Sequence, residues 1–293
     1  WGEGVFLMPP ALVIARLTLR EARRRRLLLI LLVLTLVMVA VTTWGFSRLW
    51  DIRVDGRPPG AIFVRTTTSQ LMIVVAFMFT TVLGLSATVV ASPSISGDLE
   101  SGLALSILAR PIRRADLLLG KWLGFVAMVV FYTGGAACLE MLMVDWVTGY
   151  VPPHPMEFVV FVSAVGVALV TLSMALSTRL SGLVGGVIAL VGFFMSWMGG
   201  IVGSIGLALN NQPLIDAGTI SRLIVPADGL WRGAIWALEP ALVIAGVRSA
   251  GPGAASNPFF AADPPPTPYL AWCAVWILGL LVLAVWSLSK REV

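Results

Sequence analysis

Charge is what this sequence lacks most. Only 12% of its 293 residues are Asp, Glu, Lys or Arg, against roughly 25% in a soluble domain, too few for a water-facing surface over a core of this length. Histidine occurs once, at His154, and cysteine twice, at Cys138 and Cys273, both within apolar segments. Without a CxxC or a Cys/His cluster, a disulfide framework and a zinc site are excluded, and the two cysteines read as small core residues. No HExxH, no Ser/His/Asp set and no close pair of acids inside an apolar run is present, so neither a metalloenzyme nor an intramembrane protease finds its residues here. The phosphate-binding loop is also missing. Its nearest approach is Gly120-Lys121, with Ala115 where the first glycine is needed and Trp122 where the magnesium-binding hydroxyl is needed. The sequence offers no catalytic and no metal-binding residue, and no cofactor site.

What is present is apolar. Hydrophobic residues make up 58% of the chain and mean hydropathy is +0.94, which describes an integral membrane protein. The net charge of +5 follows from the bias of Lys and Arg toward the cytoplasmic ends of membrane helices, and nucleic-acid binding has no support. Residues 1–8 are uninformative. From Pro9-Pro10 onward, Arg16, Arg20 and Arg23 recur at helical spacing while Leu12, Ala15, Leu19 and Ala22 line another face, the pattern of a helix lying in the membrane interface. The run Arg23–Arg26 anchors the next helix. A single domain over 9–293 is expected, with spans at about 27–46, 69–91, 117–144, 158–177, 183–209 and 269–289. Polar loops are expected at Arg48–Thr68, with Pro58-Pro59-Gly60 as its turn, and at Asp145–Glu157. Six spans place 13 of the 20 lysines and arginines on the side of both termini and seven on the other, so N- and C-termini are expected in the cytoplasm.

The region 210–268 is long and mixed. Leu223–Val247 is apolar in bulk, but Pro226, Asp228, Arg232, Glu239 and Pro240 interrupt it, which argues against a span. Asp228 and Arg232, four apart, are placed to pair on one helix face, with Trp231, Ile235 and Leu238 on its apolar side. One or two short helices dipping into, or lying on, the outer membrane face are expected, followed by an irregular linker with Pro264-Pro265-Pro266. Glu140 is the one acid well inside an apolar stretch, with an interface-facing position and a substrate or proton site both open to it. Glycine pairs four apart, Gly120/Gly124, Gly182/Gly186 and Gly199/Gly203, allow close helix approach.

Between the second and third spans lies the stretch Ser96–Gly124, which mixes Asp98, Glu100 and Asp116 with Arg110, Arg113, Arg114 and Lys121. An anchoring loop is one reading of these residues. Their order, an acid followed by Gly102-Leu103, then a leucine-rich run, Arg110-Pro111-Ile112-Arg113 and Leu118-Leu119-Gly120-Lys121, resembles the first cytoplasmic loop of ABC transporter permeases of the exporter (type-2) class. The resemblance implies an all-α integral membrane protein of six transmembrane helices, with an N-terminal interfacial helix, a cytoplasmic coupling helix and a partly helical external insert between spans five and six. It implies a plasma or inner membrane location and a dimer of permease subunits, homo- or heterodimer, that forms the substrate pathway. Each subunit would dock a separate ABC ATPase, which would bind the ATP and magnesium that this chain does not. The coupling loop would comprise Asp98, Glu100, Gly102, Leu103, Ile107, Arg110, Pro111 and Arg113, its charges pairing with the ATPase surface and its apolar residues filling a cleft. Ser92-Pro93, just before the loop, departs from the pattern and puts helical continuity into the coupling helix in question. An ion-driven secondary transporter or channel is the alternative reading. It is opposed by spans almost free of charge apart from Glu140 and by the lack of an inverted repeat.

Overall fold

The computed structural model describes residues 9–24, 26–53, 56–100 and 113–290. In lipid, backbone N–H and C=O groups must be bonded within the protein, so the long apolar runs form helices. In chain order the described helices are α1 (Pro10–Arg24), α2 (Arg26–Ser47), α3 (Ala61–Ala91), α4 (Pro93–Glu100), α5 (Arg114–Thr148), α6 (Pro155–Ser177), α7 (Gly182–Ala208), α8 (Gln212–Ile224), α9 (Ala227–Leu238), α10 (Ala241–Ala250), α11 (Pro252–Ala255) and α12 (Thr267–Ser289). A short 3-10 turn, Arg48–Asp51, continues α2. Six of these, α2, α3, α5, α6, α7 and α12, are long and apolar enough to cross a membrane. The protein is an all-α integral membrane bundle.

One end of the bundle carries α1, α4, the turn at 178–181 and Lys290, and is termed the basic end. The other carries 48–53, 56–60, 149–154 and the 209–266 insert, and is termed the insert end. The centre is α6, which touches α3, α5, α7, α9 and α12. Its most apolar stretch is 61% buried, against 17% for α2 and for α12. Val162, Val165 and Leu169 of α6 belong to a core toward the insert end, and Val170 and Met174 to a second core toward the basic end.

Two local expectations are corrected and two are completed. First, residues 61–68 are helix, not loop: α3 begins directly after Pro58-Pro59-Gly60. Its polar residues are accommodated because a threonine hydroxyl can bond back to its own helix, as Thr66 Oγ1 does to the Ile62 carbonyl (2.9 Å). Second, Asp145–Thr148 and Pro155–Glu157 are helical, which shortens that loop to 149–154. Gly149, at φ +65°, ends α5, and Pro155 begins α6. Third, the buried face of α1 is Ile14, Ala15 and Thr18, whereas Leu12 and Leu19 are exposed. The cause is α5, where Gly120 and Gly124 lie so close to α1 that an added Cβ would stand 2.6 Å from the Ala11 carbonyl and 2.9 Å from Thr18 Cβ, respectively.

The fourth concerns Ser92-Pro93. Ser92 keeps helical dihedrals and donates its N–H to the Thr88 carbonyl (2.9 Å), so α3 and α4 run on as one apolar helix from Ala61 to Gly97. Proline at 93 removes one donor, and side chains take over the neighbouring acceptors. Ser94 Oγ bonds the Ala91 carbonyl (2.6 Å), and Lys121 Nζ reaches the Ser94 carbonyl (2.5 Å). Ser92 Oγ donates to the Gly182 carbonyl at the start of α7, where Gly182 and Gly186 pack against Pro93 and Ser92.

The insert is more helical than the sequence indicated. Helix α8, capped by Asn211 Oδ1 accepting from Leu214 N (3.3 Å), turns back along α7. The two are joined by small residues: Gly206 against Leu214 and Ile215, Gly203 against Gly218, and Gly199 against Ser221. After Val225-Pro226 the chain reverses and α9 climbs the same helix, with Asp228 beside Gly200 and Arg232 beside Ser204. The α8–α9 hairpin therefore penetrates the bundle down to Ser196, twelve residues before the end of α7, or roughly 18 Å along the axis. It does not cross. After Leu238 the chain bends by 112° into α10.

Candidate functional site

The sequence places its candidate site on the connection between α3 and α5. Asp98 and Glu100 fall in the last turn of α4. Gly102, Leu103, Ile107, Arg110 and Pro111 lie outside the described residues. Arg113, exposed, caps α5 with extended backbone (φ −73°, ψ 143°), its carbonyl accepting from Asp116 N (2.9 Å) and Leu117 N (3.3 Å). The basic residues around it are built into the bundle. Arg114 Nη1 donates to the carbonyls of Leu288 (3.0 Å) and Ser289 (3.2 Å) at the end of α12, where a helix carries partial negative charge. Arg179 Nε reaches Ser287 Oγ (2.7 Å), which also bonds Thr178 Oγ1 (2.9 Å). Lys121, through Ser94, ties α5 to α4. Arg114, Lys121 and Arg179 thus lock α4, α5, the 178–181 turn and α12 to one another at the basic end.

A second polar site, at the insert end, is the α8–α9 hairpin. A turn at this depth frees carbonyls that lipid cannot satisfy, and here the neighbouring spans supply the donors. Trp272 Nε1 bonds the Leu223 carbonyl (3.1 Å), Trp276 Nε1 the Ile224 carbonyl (2.9 Å), Ser196 Oγ the Val225 carbonyl (2.6 Å) and Tyr269 Oη the Pro226 carbonyl (3.1 Å). Sequence reasoning did not single out Tyr269, Trp272 and Trp276, although their spacing puts them on one face of α12. Asp228, 5% exposed, receives Arg222 Nε at 2.7 Å and lies 3.5 Å from Arg232 Nε. The Asp228–Arg232 pair is the one its spacing indicates, and Arg222 is a third member brought in by the hairpin. Arg232 Nη2 donates to Ser204 Oγ (2.6 Å).

The far end of α9 is fastened too. The Leu238 carbonyl accepts from Ser69 Oγ (3.0 Å) and from Tyr150 Oη, and Gln70 Nε2 donates to Glu239 Oε2 (3.1 Å). Tyr150, between α5 and α6, has its phenol pushed up by burial, and the charge of Glu239 raises it further. His154 stacks on Trp236 with ring centroids 4.2 Å apart. Glu140, on α5, lines a small apolar cavity with Thr35, Met72, Phe79 and Phe158, and its Oε1 is buried without a hydrogen-bond partner. Among the described residues no group of three His, Cys, Asp or Glu side chains is placed to bind a metal ion.

A search among curated proteins finds no match. The family model described as ABC-2 family transporter protein matches residues 12–293. That match runs from α1 through the whole bundle and takes in both the 98–113 connection and the hairpin insert, so the chain belongs to the ABC-2 transporter family and is a transport membrane component of an ABC transporter.

Proposed function

We propose that this chain is the permease subunit of an ATP-driven exporter of the plasma or inner membrane. It pairs with a second permease subunit to form the substrate pathway, and it has no catalytic site of its own. A separate ABC ATPase binds ATP and magnesium and docks on the 98–113 connection through Asp98, Glu100, Gly102, Leu103, Ile107, Arg110, Pro111 and Arg113. The basic end faces the cytoplasm and the insert end faces outward, as the lysine and arginine distribution favours. The observation that supports coupling most directly is the unbroken helix from Ala61 to Gly97. A push on the connection is delivered to the body of the bundle along a stiff rod, while Arg114, Lys121 and Arg179 make its base one unit.

Two measurements test the reading. In a background of Cys138→Ala and Cys273→Ala, single cysteines at Arg113 and at Val151, both exposed, label from opposite sides of intact cells. Labelling from one side removes the assigned topology. For coupling, apolar anchors at the centre of an interface commonly account for about 2 kcal/mol or more, and rim charges for less. Leu103→Asp therefore abolishes retention of the ATPase on purification, whereas Arg113→Ala retains most of it, with ATP turnover read in the same preparations. Normal ATPase retention and transport by Leu103→Asp reduces the connection to an anchor.

A further inference from the structure

The α8–α9 hairpin and the proline-rich segment before α12 enclose a cavity of about 380 Å³ whose wall includes Arg222, Arg232, Tyr269, Leu223, Phe260 and Pro265. Its charge is not balanced. Two guanidinium groups share one carboxylate, Asp228, and the other acid on the wall, Asp263, is already paired with Arg248 at 2.8 Å. The donors are not exhausted either. A guanidinium has five N–H donors. Arg222 uses Nε on Asp228, and Arg232 uses Nη2 on Ser204 while its buried Nε faces Asp228 at 3.5 Å, which leaves the remaining Nη donors of both.

We propose that this cavity is a binding site for a phosphate monoanion, carried by the headgroup of an amphiphile, with Arg222 and Arg232 as its donors. Planar, forked N–H groups match phosphate oxygens in pairs, and one anion brings the site to neutrality. The amphiphile is favoured by position. Tyr269 of the wall stands in the first turn of α12, an apolar span only 17% buried and so turned largely toward lipid. Beside the cavity α8 exposes Ile220 (57%) and Ile224 (65%), an apolar strip along which an acyl chain can run. This inference concerns the insert end alone and does not depend on coupling to an ATPase.

The experiment uses the full chain purified without any ATPase and placed in nanodiscs of phosphatidylcholine containing a minor fraction of phosphatidylglycerol. Co-purifying lipid is counted by mass spectrometry, and binding of inorganic phosphate is measured separately. The wild type retains phosphatidylglycerol over phosphatidylcholine, and Arg222→Gln lowers that preference about tenfold, the cost of one charge-assisted contact. Because Arg222→Gln also disturbs the ion triad, Thr219→Trp is measured beside it. This variant fills the cavity wall from an exposed position and leaves both arginines and Asp228 in place, and it removes the preference to the same degree. Saturable binding of inorganic phosphate that displaces the lipid assigns the site to a soluble phosphate and overturns the amphiphile. Equal retention of the two lipids by the wild type, or an undiminished preference in Thr219→Trp, overturns the site.

Discussion

Asp228→Ala costs the protein about 3–5 kcal/mol of stability, because it leaves two partly buried guanidinium groups with no counter-charge. Asp228 is 5% exposed, while the Arg222 and Arg232 side chains keep 25% and 20% of their surface. Before any phosphate binds, neither arginine has another acid within ion-pair distance among the described residues. The loss is read as the midpoint of thermal unfolding, followed by tryptophan fluorescence in detergent. Two further variants separate the ionic contribution from packing. Replacing the whole triad by Leu at 222 and 228 and Met at 232 recovers much of the stability, as apolar substitutes for buried ion triads do. Gly200→Ala destabilises from the opposite side, since its methyl would lie 2.2 Å from the Asp228 carboxylate, whereas Gly279, with nothing within 4 Å, accepts alanine without loss. If Asp228→Ala melts within about 2 °C of the wild type, the triad is not what secures the hairpin.

That triad also shows where sequence reasoning reached its end. A helical spacing of four is a local property, so Asp228–Arg232 was legible. Arg222 lies on the other arm of the hairpin, and no local periodicity says that α8 folds back along α7. The glycines behave similarly. Gly199 and Gly203 announced a close approach, but its partner, Gly218, is one glycine in a short amphipathic helix and carries no pattern of its own. Six apolar runs were visible as runs because lipid imposes both length and composition, while helix ends in the polar margins were not. Residues 61–68 looked like loop by polarity, yet threonine and serine can bond inside a helix as readily as outside it. The acid, arginine and proline residues of 98–113 were legible only as a motif. The structure adds the side-chain ties among α4, α5, the 178–181 turn and α12 that flank this stretch, through Arg114, Lys121 and Arg179.

The interfacial helix provides the other large effect. Helix α1 was read as amphipathic, with its arginines toward lipid phosphates, and Arg16 and Arg20 are exposed, on the side away from the buried face of Ile14, Ala15 and Thr18. What fastens α1 is backbone proximity to α5, because Gly120 and Gly124 leave no room for a side chain. Gly120→Leu would set its Cβ 2.6 Å from the Ala11 carbonyl oxygen and from Ile14 Cβ. Neither can swing aside as a flexible tip can, so the helix as a whole is displaced. Overpacking of a well-packed contact costs about 1–3 kcal/mol, and a clash with backbone lies at or above the top of that range. The matched control is on the same helix: Gly135 of α5 is exposed and has nothing within 4 Å of its Cβ position, so Gly135→Leu is tolerated. Trypsin reads the difference. In the wild type the basic run 23–26, which takes in the end of α1 and the start of α2, is cut slowly, since α1 is pinned along α5. In Gly120→Leu cleavage accelerates at least tenfold and the melting midpoint falls, while Gly135→Leu matches the wild type in both assays, a tenfold change corresponding to about 1.4 kcal/mol of local opening. Equal cleavage of Gly120→Leu and Gly135→Leu would mean that lipid, and not α5, fixes the position of α1.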